Sequence, residues 1–83
     1  MRFVHEVDSL EPNTITYETE PGQAGGVELD GAVPVFYVNQ KGCQFLAKLF
    51  AQLALGQCSR GFHVHLGEGL DPEAPEVVRI VIE

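Results

Sequence analysis

Apolar and polar residues alternate along several short stretches of the chain, and this period of two is typical of half-buried strands. The pattern predicts six strands, over residues 3–7, 14–19, 27–29, 33–38, 62–66 and 77–82. Asp30-Gly31, between the third and fourth of these, predicts a tight type I′ hairpin turn, which needs positive φ at both loop positions. Pro34 cannot donate a backbone hydrogen bond, so we expect its strand to lie at a sheet edge or to carry a bulge.

A different period, of three to four residues, predicts one helix over residues 40–55. Its apolar stripe comprises Leu46, Leu49, Phe50 and Leu53, widened by Phe45 and Ala54. Asn39 is a good N-cap because its side-chain oxygen can accept a hydrogen bond from the first turn. Gly56 follows the last apolar positions, so we expect it to end the helix in a left-handed conformation. The whole stripe is expected to be buried against a sheet.

Together these elements predict an α+β fold in a single domain over residues 1–83. The element order β-β-β-β-α-β-β places one amphipathic helix among strands that are joined by short connections. A mostly antiparallel sheet of about five or six strands would offer that helix one apolar face to cover. We therefore expect a two-layer sandwich whose other sheet face is open to solvent or covered by a partner.

Composition and charge narrow the range of functions. The chain has 83 residues, of which 45% are hydrophobic and 20% charged, as in an ordinary globular domain. Its net charge of −7 argues against nucleic acid as a ligand and favours a basic protein partner, unless the charge serves solubility alone. No apolar run approaches the roughly 18 residues that a membrane span needs, and no signal peptide is recognisable at the start. We expect a cytoplasmic protein that does not enter a membrane.

Cys43 and Cys58 are the two cysteines, one near each end of the predicted helix. About fifteen residues of helix span about 22 Å, while a disulfide needs Cα atoms within about 7 Å, so we expect reduced thiols. A nucleophilic Cys43 would need a base and a pocket, and an ordinary small helix residue is the simpler interpretation. No phosphate-binding loop, nucleophile elbow or C-x-x-C motif is present. The sequence therefore predicts no enzyme, no catalytic residue and no cofactor.

Two histidines on one face of the fifth predicted strand are the most informative feature. Phe62, Val64 and Leu66 alternate with His63 and His65, so the histidines are expected on the face opposite the helix. Alternate strand positions are roughly 6–7 Å apart, a spacing that chelating histidines can use, so a metal-binding module is one interpretation. An exposed polar strand face without a metal is the simpler one.

The last predicted strand adds residues to that face. The predicted interface comprises His63, His65, Val77, Arg79 and Val81. A mixture of apolar and polar side chains suits a protein interface, either with another protein or with a second copy of the chain. We therefore expect a protein-binding protein, with a metal-binding module or a homo-oligomeric structural protein as the alternatives.

Three segments around the helix have a recognisable pattern. They are Asn39-Gln40-Lys41-Gly42, the Leu/Ala-rich run over residues 45–54, and Gly61-Phe62-His63-Val64-His65-Leu66. An Asn-x-x-Gly helix start, a Leu/Ala-rich helix and a strand ending in His-x-His-Leu are shared by the immunity protein 32 family of bacterial polymorphic-toxin systems, which the chain resembles over about residues 36–66. The chain departs from the family at Gly67-Glu68, where an acid is expected directly after the leucine. The resemblance implies a non-enzymatic protein that neutralises a toxin, such as a basic toxin domain, by binding it.

Overall fold

The computed structural model describes residues 12–83, which contain four strands and one long helix. The elements in chain order are β1 (Gly25–Asp30), β2 (Val33–Val38), α1 (Gln40–Leu55), β3 (His63–Gly67), a short 3₁₀ turn (Glu68–Leu70) and β4 (Glu76–Val81). The predicted α+β class and the bounds of the helix are confirmed. The strand predicted over residues 3–7 lies outside the described residues.

The four strands form two separate hairpins. β1 pairs with β2 and β3 pairs with β4, each pair antiparallel and each in its own two-stranded sheet. Within residues 12–83, the predicted single sheet of five or six strands is therefore wrong, and so is the two-layer sandwich built on it. Alternation along a strand shows which side chains face the core, but it does not show which segment lies beside that strand, because tertiary packing decides the backbone partner.

The first hairpin closes one residue later than the sequence suggests. Asp30 pairs with Val33, so the two-residue loop is Gly31 and Ala32. Gly31 has a φ of 62° and Ala32 does not have positive φ, so the predicted type I′ turn is wrong. Within residues 12–83, β2 pairs with β1 alone, so the predicted edge position of Pro34 is confirmed for the described part of the chain.

Residues 14–19, predicted as a strand, belong to no sheet. The backbone N–H of Thr16 donates to Oε1 of Gln52 at 3.0 Å, and Nε2 of Gln52 donates to the carbonyl of Thr16 at 2.9 Å. Ile15 and Tyr17, on either side of Thr16, pack against the core. The side chain of Gln52 thus makes the hydrogen bonds that a neighbouring strand would make. The strand prediction is wrong, but Ile15 and Tyr17 still face the core as the alternation predicts.

Helix α1 begins as predicted but ends differently. Oδ1 of Asn39 accepts from the N–H of Gly42 at 2.9 Å and from the N–H of Ala24 at 3.0 Å. Nδ2 of Asn39 donates to the carbonyl of Gly22 at 2.7 Å, so one side chain caps the helix and also holds the loop before β1. Gly56 has a φ of −81° and a ψ of 174°, which is extended backbone, so the predicted left-handed conformation is wrong.

The core lies where α1 packs on the second hairpin and the 3₁₀ turn. Its buried residues are Phe45, Leu49, Val64, Leu66 and Leu70. Leu49 is 2% exposed, whereas Phe50 is 50% exposed and Ala54 is also exposed. The predicted burial of Phe50 and Ala54 is therefore wrong, because the helix turns its Phe45–Leu49 edge toward the second hairpin and leaves the adjacent edge uncovered.

Candidate binding surfaces

Four of the five predicted interface residues lie together on the second hairpin. The pairing of β3 with β4 places His63 opposite Val81 and His65 opposite Arg79, and all four residues are exposed. Cross-strand partners share a face, and the intervening residues of β3 are buried, so this face points away from the core. The fifth residue, Val77, is 42% exposed and lies apart from the other four, since it lines a depression beside β1. Whether these five residues bind a partner stays a prediction.

Glu76 joins the same surface, although the sequence places it in a loop. A bulge between Leu66 and Gly67 brings Glu76 opposite Gly67, on the face that carries His65. On a regular strand, residues three apart such as Glu76 and Arg79 would point to opposite faces. We refer to the surface formed by His63, His65, Glu76, Arg79 and Val81 as the outward face.

Glu76 is the centre of the polar contacts on the outward face. Arg79 donates through Nε to Oε1 at 2.8 Å and through Nη2 to Oε2 at 3.0 Å, the two-pronged geometry that a guanidinium group favours. Nδ1 of His65 lies 2.9 Å from the same Oε1. The hydrogen bonds from Arg79 first and His65 second lower the pKa of Glu76 from 4.5 to about 2. Glu76 is therefore an ionised acceptor at neutral pH.

The two imidazole rings are held at their Nδ1 atoms. Nδ1 of His63 lies 3.1 Å from the carbonyl oxygen of Gly61, and Nδ1 of His65 lies 2.9 Å from Oε1 of Glu76. A carbonyl and a carboxylate only accept hydrogen bonds, so we assign the proton of each neutral ring to Nδ1 and the lone pair to Nε2. The ring centroids are 4.8 Å apart and the ring planes meet at 79°. No hydrogen bond within residues 12–83 engages either Nε2 atom.

Groups that bind metals or attack substrates are sparse in the described part of the chain. Within residues 12–83, no group of three or more His, Cys, Asp or Glu side chains is arranged to hold a metal ion. The pair of His63 and His65 supplies two ligands and no more. Cys43 is exposed, Cys58 is half-buried, and both are free thiols. A metal site on the outward face would therefore need ligands in addition to those that the described residues of one chain supply.

A second surface, which sequence reasoning missed, is a cleft where α1, β2 and β4 meet. The cleft has a volume of about 270 Å³ and all of its lining residues are apolar. We call it the apolar cleft; its residues are Phe36, Val38, Leu46, Phe50, Val78 and Ile80. Phe36 and Phe50 are 49% and 50% exposed. No periodicity in the sequence could reveal the cleft, because it depends on where the first hairpin lies relative to the helix.

Most carboxylates of the described residues make no ion pair with another described residue. Ion pairs join Lys48 to Glu20 at 3.8 Å and Arg79 to Glu76 at 2.8 Å, while Lys41 donates to a backbone carbonyl at 2.7 Å. The carboxylates of residues 12–83 that make no ion pair within that range are Glu18, Glu28, Asp30, Glu68, Asp71, Glu73 and Glu83. The described surface is therefore predominantly negative.

Comparison with protein-family models, with curated proteins and with solved structures finds no match for this chain. The resemblance to the immunity protein 32 family stays a prediction. Within the described residues, no helix combines the length and the apolar character that crossing a bilayer requires. The outward face and the apolar cleft are therefore the two candidate binding surfaces of the described residues.

Proposed function

We propose that this chain is a non-enzymatic protein-binding protein, and that a basic partner protein inserts an apolar side chain into the apolar cleft. The observation that carries the proposal is the exposure of Phe36 and Phe50, at 49% and 50%, in a cleft lined by apolar residues alone. In its more specific form, the partner is a bacterial toxin domain and the chain is the immunity protein that neutralises it.

Covering the apolar cleft would stabilise a complex. Each Å² of apolar surface removed from water contributes about 25 cal/mol, and aromatic side chains contribute most when water is excluded around them. Phe36 belongs to β2 and Phe50 to α1, so both are held on hydrogen-bonded elements and little ordering is needed on binding. The cleft joins two exposed phenylalanines to four half-buried apolar residues from three elements. An apolar composition of this kind is typical of the centre of an interface rather than of its rim.

Charge indicates the kind of partner. The net charge is −7, and most carboxylates of the described residues make no ion pair with a basic residue within residues 12–83. Such a surface repels the phosphates of nucleic acid and attracts a protein rich in Lys and Arg, which accelerates association at low salt. The predicted interface residues His63, His65, Val77, Arg79 and Val81 lie away from the cleft lining and would form a separate contact.

The sharpest test uses the product of a toxic gene adjacent to the gene for this chain. Co-expression should restore growth, and the two proteins should co-purify. Phe36→Ser and Phe50→Ser should each weaken binding by about tenfold or more and abolish the growth rescue. Leu29→Ser is the matched control, because Leu29 is a 73% exposed apolar residue of β1 that does not line the cleft. Added salt should slow association, since ions screen the attraction.

Three outcomes would count against the proposal. Failure of every neighbouring gene product to bind or to affect growth would remove the immunity function. Equal losses of binding in Leu29→Ser and Phe50→Ser would show that the cleft is not the contact. Dimerisation of the chain alone that Phe50→Ser abolishes would assign the cleft to a second copy instead.

A further inference from the structure

We propose that the outward face carries a second site, independent of the apolar cleft, in which the Nε2 atoms of His63 and His65 bind one Zn²⁺ ion. Two histidines of a second copy of the chain complete the site, so that the ion joins two outward faces. The proposal rests on the placement of the two rings and does not depend on the identity of any toxin or other partner.

The orientation of both rings is the first argument. Histidines that bind metals usually donate their other N–H to a carboxylate or a backbone carbonyl, which fixes the tautomer and aims the free nitrogen. Both partners occur here, since Nδ1 of His65 faces Glu76 at 2.9 Å and Nδ1 of His63 faces the carbonyl of Gly61 at 3.1 Å. Neutral imidazole nitrogen is a ligand that Zn²⁺ favours.

The separation of the rings is the second argument. Two imidazole nitrogens that bind one ion at about 2.0–2.1 Å in tetrahedral geometry place their ring centroids about 5 Å apart. The centroids of His63 and His65 are 4.8 Å apart, with their planes at 79°. The centroid separation therefore matches that of two imidazoles that share one ion.

The number of ligands indicates a second copy. Zn²⁺ held by protein side chains alone takes four ligands, and the described residues of one chain provide His63 and His65 without a third. Both oxygens of Glu76 already accept hydrogen bonds from Arg79 and His65. A two-fold axis through the ion would bring two pairs of histidines together, because a symmetric dimer uses the same patch on each subunit. Val81, opposite His63 and 49% exposed, would meet its symmetry mate beside the ion.

The test uses the full chain without an affinity tag, in a Cys43→Ser/Cys58→Ser background that removes competing thiols, with Zn²⁺ as the only added ligand. Titration calorimetry should give one ion for two chains, and sedimentation velocity should show a dimer that EDTA dissociates. His63→Gln and His65→Gln should each lower the Zn²⁺ affinity at least about tenfold and abolish the dimer. His5→Gln is the matched control and should change neither quantity.

Variants of Glu76 and Phe50 distinguish a role in orienting His65 from a role in folding, and the outward face from the apolar cleft. Glu76→Ala should weaken Zn²⁺ binding by about 10–100-fold without a comparable loss of thermal stability, and Glu76→Gln, which keeps an acceptor oxygen, should restore part of it. Phe50→Ser should leave the Zn²⁺ dimer intact, which distinguishes this site from the apolar cleft. Binding of one ion per chain without dimerisation, unchanged binding in His63→Gln and His65→Gln, or an equal loss in His5→Gln would each overturn the proposal.

Discussion

Gln52 provides Thr16 with the contacts that a neighbouring strand would provide. The side-chain amide accepts from the N–H of Thr16 at 3.0 Å and donates to the carbonyl of the same residue at 2.9 Å, and the Thr16 hydroxyl donates to Oε1 at 3.2 Å. Each such bond contributes about 0.5–1.5 kcal/mol to stability. The contact attaches residues 14–19 to α1 and so helps to hold Ile15 and Tyr17 against the core.

We expect Gln52→Ala to lower the free energy of unfolding by about 1–3 kcal/mol, because it removes all three hydrogen bonds to Thr16. Gln40→Ala is the matched control, since Gln40 is exposed in the first turn of the same helix and should change stability by less than about 0.5 kcal/mol. Urea denaturation followed by circular dichroism measures both. Similar losses in the two variants would show that the amide does not attach the segment.

Two adjacent helix residues should respond very differently to truncation. Leu49 is 2% exposed, so Leu49→Ala should cost about 2–5 kcal/mol through the cavity it leaves. Phe50 is 50% exposed in the apolar cleft, so Phe50→Ala should cost about 1 kcal/mol, because much of its ring is already in water. Chemical denaturation of both variants tests this order. A larger loss in Phe50→Ala would mean that the cleft is closed in the folded protein.

Gly42→Ala should destabilise the protein although alanine is the better helix former. A Cβ atom at Gly42 would lie 2.5 Å from the carbonyl oxygen of Ala24 and 2.6 Å from Cγ1 of Val38. We expect a loss of about 1–3 kcal/mol, because a backbone atom of the preceding loop would have to move. Gly26→Ala is the control, since nothing lies within 4 Å of its Cβ position. A rise in melting temperature for Gly42→Ala would contradict the close approach of loop and helix.

The carboxyl of Glu76 should titrate at a pKa of about 2, because hydrogen bonds from Arg79 and His65 stabilise its ionised form. A pKa that folding lowers adds stability above the ordinary value of 4.5, and this stability is lost as the pH falls from there toward 2. Carbon-detected NMR of the side chain measures the titration. Arg79→Met should raise the pKa of Glu76 more than His65→Gln does, since Arg79 is the larger cause. A larger rise in the pKa of Glu76 in His65→Gln than in Arg79→Met would show that His65 makes the stronger contact with the carboxylate.

Local signals in the sequence located several features correctly. Asn39 caps α1 because the bond to Gly42 joins residues three apart, and such bonds depend little on the rest of the fold. The exposure of His63 and His65 follows from the alternation of β3 alone. Gly56 was not predictable in this way, because the chain that follows it is held from afar: the N–H of Asn13 donates to the carbonyl of residue 57 at 2.9 Å.

The sequence by itself determined the α+β class, the bounds of the helix and the direction of the strand side chains, because periodicity and capping involve neighbouring residues. Only the tertiary structure decided that Gln52 pairs with Thr16, that a bulge turns Glu76 toward His65, and that Phe50 opens into a cleft. Each of these contacts joins segments that are distant in the sequence. The apolar pattern selects which face of an element is buried, but it is compatible with many different packing partners. The apolar cleft, and the contact of Glu76 with His65 on the outward face, therefore depend on packing that no local pattern encodes.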